Sequence, residues 1–261
     1  MDELKRFRLD GQVALVAGGA GAIGARASAA LAGAGADVVI VGRPQDPVQE
    51  SGAAVEEAGA TADIETGDMT VKADADRVVA AAVERFGRLD VLVNAIGGGA
   101  GTALFPAEEY PEADWDRIVD LNLRTTLFTS QATARAMIAG GRGGRILNIS
   151  SVRGQLGIDA GYSAYVAAKG AINALTRQHA TEWARHSIRV NAIAPTFVRT
   201  PQVESLLADP SFYEGLVSRI PLRRIADTDD LVGAILFFCS DASAFVTGQV
   251  LTVDGGLTAS Q

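Results

Sequence analysis

Tyr165 and Lys169 stand four residues apart in a segment of helical pattern, so a phenol and an ammonium share one helix face. A phenol beside a fixed cation is expected to titrate below its ordinary value of roughly 10, because the cation favours the phenolate. Such a group gives and takes protons near neutral pH. A hydroxyl able to join the pair on one reacting oxygen comes from Ser150-Ser151, just upstream. Neighbours on a strand face opposite ways, so only one of these two serines can point at Tyr165.

A second chemical signature is Ala17-Gly18-Gly19-Ala20-Gly21-Ala22-Ile23-Gly24, between an apolar run and an alanine-rich helical run. Glycines there let the backbone turn tightly and approach a dinucleotide pyrophosphate at a helix amino terminus. Gly18, Ala20, Gly21, Ile23 and Gly24 are the candidate contacts. The lack of a following Gly-Lys-Ser/Thr excludes a P-loop. The next apolar run ends in Val41-Gly42-Arg43, with no carboxylate for a ribose 2′-hydroxyl. Arg43 instead offers a planar cation suited to a 2′-phosphate, so NADP(H) is favoured over NAD(H). The alternative is that Arg43 is a solvated loop residue.

These groups need elements to hold them. Short β-branched runs at 12–17, 37–41, 62–66, 91–95, 145–150, 189–193 and 249–253 alternate with helical runs at 23–34, 48–58, 73–86, 113–139, 162–185 and 227–239. Strands separated by crossovers of that length predict βαβ units and a parallel sheet. Near-continuous apolar strands such as Val38-Val39-Ile40-Val41 fit a sheet covered on both faces. No linker divides the chain, which predicts one α/β domain over 1–261: a single-domain Rossmann fold, a doubly wound seven-stranded parallel sheet with helices on both faces. Two stretches break the rhythm: a glycine-rich loop at 97–111, and an apolar-containing segment at about 201–222 that predicts a substrate lid.

Composition narrows the classes. Over 261 residues, 48% are hydrophobic and 21% charged, which is globular. A net charge of −8 argues against nucleic acid or an anionic membrane as partner. The charged amino terminus lacks an apolar signal core and no run is long enough to span a bilayer, so a cytoplasmic protein is expected. The single cysteine, Cys239, excludes an internal disulfide and reads as a buried structural thiol. With two histidines there is no zinc-site spacing, and no metal is expected. His179 lies on an apolar helix stripe with Trp183, which favours packing or a subunit contact.

Taken in order, Leu9-Asp10-Gly11-Gln12, the glycine turn, Ser151 with Tyr165-x-x-x-Lys169, and Val253-Asp254-Gly255-Gly256 resemble the short-chain dehydrogenase/reductase family over nearly the whole chain. The family's Ser-x-x-Gly pattern selects Ser151 over Ser150. The resemblance implies that Tyr165 is general acid for carbonyl reduction and general base for alcohol oxidation. It implies that Lys169 lowers the tyrosine's pKa and binds the nicotinamide ribose, and that Ser151 holds the substrate oxygen. Asn122 matches a family asparagine that anchors a water joining Lys169 to solvent; its alternative is a plain polar helix position. Asp68 and Met69 match an adenine contact, and Asn94-Ala95 a segment beneath the cofactor. Val198 and Thr200, in Pro195-Thr196-Phe197-Val198-Arg199-Thr200, match the carboxamide-binding loop. The chain departs from the family's glycine pattern at Ala17 and Ala22, and Gly21 is expected to restore flexibility there.

The resemblance implies an NADP(H)-dependent reductase of a ketone, or dehydrogenase of a secondary alcohol, with a small-molecule substrate. A 3-oxoacyl thioester reductase and a sugar-acid dehydrogenase resembling gluconate 5-dehydrogenase are alternatives, as is a non-catalytic NAD(P) sensor. Leu156, Ile158, Leu206, Leu207 and Phe212 suggest an apolar pocket, in which Arg153, Gln155 or Tyr162 could bind an acidic group. Arg153 reads equally as a solvent-facing loop residue. Small residues along 162–185 permit close helix contact, and a homotetramer or homodimer is expected.

Overall fold

The computed structural model describes residues 3–99 and 101–260. Ala100 of the 97–111 loop, and Met1, Asp2 and Gln261 of the expected 1–261 domain, lie outside the described residues.

Strand β1 (Val13–Ala17) is buried from end to end, with Ala14 and Val16 in one apolar core and Val13, Leu15 and Ala17 in another. The period of two sends alternate side chains to opposite faces, and both faces are apolar because both are covered. Strand β2 (Asp37–Gly42) divides in the same way, Val38 and Ile40 against Val39 and Val41. With β3 (Ala62–Thr66), β4 (Val91–Asn94), β5 (Gly144–Ile149), β6 (Ile188–Pro195) and β7 (Val250–Val253) they form one parallel sheet in the order β3-β2-β1-β4-β5-β6-β7. The helices are α1 (Ala22–Gly33), α2 (Val48–Glu57), α3 (Lys72–Phe86), α4 (Glu112–Val119), α5 (Thr125–Gly140), α6 (Ser163–Trp183), α7 (Glu204–Leu207), α8 (Pro210–Arg219) and α9 (Val232–Cys239). Helices α1, α2 and α9 cover one face; α3, α5 and α6 cover the other. The chain is a single doubly wound Rossmann domain. The winding reverses between β1 and β4, which opens a crevice at their carboxyl ends.

The helix expected over 113–139 is interrupted. Between α4 and α5 the residues Asp120–Arg124 form a π turn. The Asn122 amide donates to the Ile118 carbonyl (2.9 Å), and the Thr125 and Thr126 hydroxyls donate to the Leu121 and Asn122 carbonyls (2.8 and 2.9 Å). Side chains that bond the preceding turn loosen the regular ladder, and π turns gather where a functional side chain must be re-aimed. The helix expected from 227 begins as a 3-10 turn, Thr228–Leu231, capped reciprocally by Asp227 and Asp230. Segment 201–222 contains α7 and α8, the latter capped by Asp209, whose carboxylate accepts from Ser211 N at 2.8 Å. It has its own apolar cluster: Leu216, Ile220, Ile225 and Leu257, with Phe212 edge-on to Phe197. Among the described residues no helix is long and apolar enough to cross a membrane.

Candidate active site

The carboxyl end of β5 delivers two serines to different places. Ser150 Oγ donates to Asn173 Oδ1 on α6 at 2.6 Å, so it is turned toward the helix. Ser151 caps the 3-10 turn Val152–Gly154, and its Oγ accepts from Arg153 N at 3.1 Å. The alternation therefore leaves Ser151 as the serine on the Tyr165 side, where its hydroxyl favours the phenolate.

Tyr165 and Lys169 lie in the first two turns of α6. Lys169 Nζ is 5.6 Å from the Tyr165 ring centroid and donates to the Ile149 carbonyl at 2.9 Å. The lysine is almost fully buried, and burial pulls its ammonium down to about 8. The expected depression of Tyr165 is not what the geometry produces. Burial pushes the phenol above its ordinary value, and the Ser151 hydroxyl is the strongest opposing influence. The ammonium is directed at a backbone carbonyl, and loss of hydration outweighs its attraction for the phenolate.

Asn122 is fully buried on the π turn. Its Nδ2 donates to the Gly98 carbonyl at 3.0 Å and its Oδ1 accepts from Gly98 N at 3.1 Å. The side chain is thus committed to the base of the 97–111 loop. Its Oδ1 and Lys169 Nζ both flank Gly97: a Cβ added there would lie 2.7 Å from the first and 3.1 Å from the second. That loop folds back on Tyr165, placing Ala103, Phe105 and Tyr110 with it in one cluster.

The glycine turn is shaped by close backbone approach. Gly18 has φ +83°, and a Cβ on it would sit 2.8 Å from Ile96 N. A Cβ on Gly24 would overlap the Gly18 carbonyl. Ala20 and Ile23 are partly exposed around the turn. Gly21 does not restore flexibility as expected: at φ −75°, ψ 156° it occupies a conformation open to any residue. It caps α1 without a side chain, leaving the first-turn N–H groups to an outside acceptor. Across the crevice Thr196 Oγ1 is buried with no hydrogen-bond partner. A turn that admits no side chain at Gly18 or Gly24, an uncapped helix end and an orphaned hydroxyl at the end of β6 together fit a nicotinamide dinucleotide.

The remaining expected contacts divide by burial. Arg43 is exposed beyond β2, with Nε and Nη2 on the Asp46 carboxylate at 3.2 and 2.9 Å. Asp68 is exposed and accepts from Thr70, whereas Met69 is buried in the core, leaving only its backbone accessible. Asn94 braces the sheet: Nδ2 donates to Asn148 Oδ1 and Ser130 Oγ (both 2.9 Å), and Oδ1 accepts from Thr129 Oγ1 (2.5 Å). Ala95 continues β4 through Ala95 N to the Ala17 carbonyl at 2.8 Å. Val198 is buried and bridges Ala226, so it too offers backbone alone; Thr200 is half-buried.

Of the two readings of Arg153, its burial rules out the solvent-facing one and leaves the pocket one. Two features were not foreseen. Asp46 holds Arg43, a pairing that three-residue spacing permits but does not require. The orphaned Thr196 hydroxyl has no sequence signal beyond replacing a glycine of the family pattern. Cys239 is buried and its thiol pushed up to about 12 by burial, which makes it inert. His179 is buried and stacks on Trp183 at 4.2 Å, away from the crevice groups.

Comparison with known proteins agrees with this geometry. Residues 18–258 match the family model described as enoyl-(acyl carrier protein) reductase. A gluconate 5-dehydrogenase of Gluconobacter oxydans is 40% identical over 97% of this chain and 97% of its own length. A galactitol 2-dehydrogenase of Rhizobium johnstonii is 35% identical over 99% of each. The crystal structure of a gluconate 5-dehydrogenase from Burkholderia cenocepacia, in complex with NADP and tartrate, superposes with a TM-score of 0.92 at 36% identity, covering 99% of both chains. With its sheet order, its glycine turn and its Ser-Tyr-Lys constellation, the chain belongs to the short-chain dehydrogenase/reductase family and is an NAD(P)-dependent oxidoreductase acting between CH–OH and C=O groups.

Proposed function

We propose that the protein interconverts a secondary alcohol and a ketone with NADP(H), using Tyr165 as acid and base. The observation that carries this reading is the convergence of Ser151, Tyr165 and Lys169 at the end of β5, beside a cradle only glycine fits. The nicotinamide, when bound, supplies or accepts the hydride. Ser151 Oγ already accepts from Arg153 N, so its own proton is free to hold the substrate oxygen. Burial keeps the Tyr165 phenol protonated, ready to donate as a carbonyl becomes an alkoxide. In the reverse direction the same phenol must first lose its proton, and the Ser151 hydroxyl favours that phenolate. Lys169, held by the Ile149 carbonyl, supplies positive potential and binds the ribose. Asn122 positions Gly98, and the Gly97 peptide before it, against that lysine.

Gly18, Ala20, Gly21, Ile23 and Gly24 would bind the pyrophosphate. Asp68, Met69, Asn94 and Ala95 would border the adenosine half, and Val198 and Thr200 the carboxamide. Arg43 would bind the 2′-phosphate: its outer guanidinium edge is exposed while Asp46 fixes the inner edge. Wild-type kcat/KM is expected to favour NADPH over NADH, and Arg43→Gln to cut that ratio by about tenfold or more. A wild-type preference for NADH would end the NADP assignment. The substrate panel should hold ketones, polyols and sugar acids, since relatives are named for gluconate and galactitol. Absence of nicotinamide turnover across the panel would favour a sensor instead.

Helices α7 and α8 would act as the lid, since they leave the Thr200 loop and share a small apolar cluster with Phe197, Ile225 and Leu257, separate from the two cores of the sheet. A homotetramer is supported by two apolar surfaces: Ile138 and Trp183 along α5 and α6, and fully exposed Phe245 with Leu251 at the β7 edge. Light scattering is expected to give four times the chain mass, and a monomer would refute the assembly.

A further inference from the structure

Arg153 sits on the 3-10 turn that leaves β5, two residues after Ser151, and only 7% of it is exposed. Its backbone N–H donates to Ser151 Oγ, so its position is tied to the hydroxyl that holds the reacting oxygen. The guanidinium makes one hydrogen bond, Nη1 to the Gly157 carbonyl at 3.2 Å. No carboxylate of the described residues forms an ion pair with it.

Other partly buried arginines are provisioned differently. Arg189 donates to the Ser240 and Ser243 carbonyls and to Ser243 Oγ, and Arg145 to Gln12 and Asp241. A guanidinium has five N–H donors; one is spent on the Gly157 carbonyl, and the unpaired nitrogens keep a little access to solvent, where a ligand can meet them. The charged and titratable groups near Arg153 are the phenols of Tyr162 and Tyr165 and a second cation, Arg219 of α8. Burial, and then Arg219, push the guanidinium below the usual arginine range. In a protein of net charge −8, the charged side chain that acts on Arg153 is a second arginine and not a carboxylate, against the prevailing field.

We propose that Arg153 is the counter-ion of a carboxylate on the substrate, so that the enzyme acts on a hydroxy acid or oxo acid, with Arg219 brought over the same group by α8. This rests on the oxidoreductase reading for the place of the reacting carbon, next to Ser151 and Tyr165. A planar carboxylate matches a guanidinium fork with two parallel hydrogen bonds. Of the two arginines only Arg153 is enclosed; Arg219 is exposed and screened by solvent, so the enclosed charge to be balanced is single, which favours a carboxylate over a phosphate dianion.

The test is equilibrium binding by calorimetry in saturating NADPH, under which hydroxy compounds bind without turning over. Three pairs serve as probes: lactate and lactamide, 3-hydroxybutyrate and 3-hydroxybutyramide, gluconate and gluconamide. At least one acid is expected to bind about tenfold or more tightly than its amide, the difference between a charge-assisted and a neutral hydrogen bond. Arg153→Gln is expected to bring that ratio near one, and Arg153→Lys to restore part of it. Equal binding of acid and amide in all three pairs overturns the proposal, as does an unchanged ratio in Arg153→Gln, the mark of a merely structural arginine. Tighter binding of glucose 6-phosphate than of every acid also overturns it. Should the glutamine variant not fold, the wild-type ratio and the lysine variant decide. Oxidation with NADP is scored separately: acid-selective binding without turnover counts against the oxidoreductase reading and leaves the carboxylate site supported.

Discussion

Tyr165→Phe is expected to lower kcat/KM by about a thousandfold while leaving cofactor affinity within a factor of about two or three, since general acid–base groups contribute roughly 10²–10⁴. The phenyl ring keeps the packing against Phe105 and Tyr110 and removes only the proton. Steady-state NADPH oxidation measures the first quantity and protein fluorescence quenching the second; substantial turnover in the variant would refute the assignment. Lys169→Met makes a companion case with a stability readout. The ammonium falls from 10.5 to about 8 in the folded chain, so between those values the unfolded state binds more protons. Stability therefore rises with pH across that window, and below about pH 8 the full cost of a buried ammonium is carried. At pH 7 the methionine variant should be inactive yet more stable by on the order of 2 kcal/mol, after the orphaned Ile149 carbonyl is set against the gain. Urea unfolding at pH 7 and pH 10 checks this: the advantage should shrink at the higher pH, and one that grows would contradict the sign.

Gly24→Ala should be the most damaging change of a single methyl in the cofactor cradle. The added Cβ overlaps the Gly18 carbonyl and lies 3.0 Å from Gly19 Cα, so backbone must move against backbone. Overpacking of this kind costs about 1–3 kcal/mol, a fall in Tm of roughly 3–10 °C at this chain length. The displaced Gly18 turn is also the surface offered to the pyrophosphate, so NADP affinity should fall with stability. Gly33→Ala on the same helix is the control. A Cβ at Gly33 meets nothing within 4 Å, and the change should be neutral or stabilising by a few tenths of a kcal/mol. Equal melting temperatures for the two variants would show that the close approach at Gly24 is unimportant.

Much of this architecture is written in local periodicity. Runs such as Val38-Val39-Ile40-Val41 are apolar on both faces, and only a doubly covered sheet hides them. The Tyr165–Lys169 spacing is equally plain because one helix carries both groups. The direction of the Tyr165 shift was not legible, since it depends on where Lys169 Nζ points, and that is set by the Ile149 carbonyl from another element. The choice of Ser151 is legible from alternation only once Asn173 is known to claim Ser150. The π turn escaped for a similar reason: its residues are ordinary helix formers, and the contact that selects it, Asn122 with Gly98, crosses 24 positions. The sequence leaves Arg153 open between a pocket cation and a surface residue because it does not show that α6 packs on that turn, with Asn173 Nδ2 on the Gly154 carbonyl and the Gly157 carbonyl taking up Nη1.

The π turn has a mechanical consequence. Each residue turns an α-helix by about 100°, so one extra residue in a turn rephases everything after it. With the phase as it stands, Asn122 grips Gly98 while Thr129 and Ser130, two turns on, grip Asn94. Those helix positions are separated by about 10 Å of rise and the two gripped residues by at most about 13 Å of extended chain. The segment 94–98 is therefore spanned like a beam clamped at both ends. Deleting one residue from 120–124 would swing α5 by about 100° and release one clamp or the other. Lys169 is steadied against one side of that beam at Gly97, so its footing is shared with the far wall of the domain, and flexing of the 97–111 loop starts beyond Gly98.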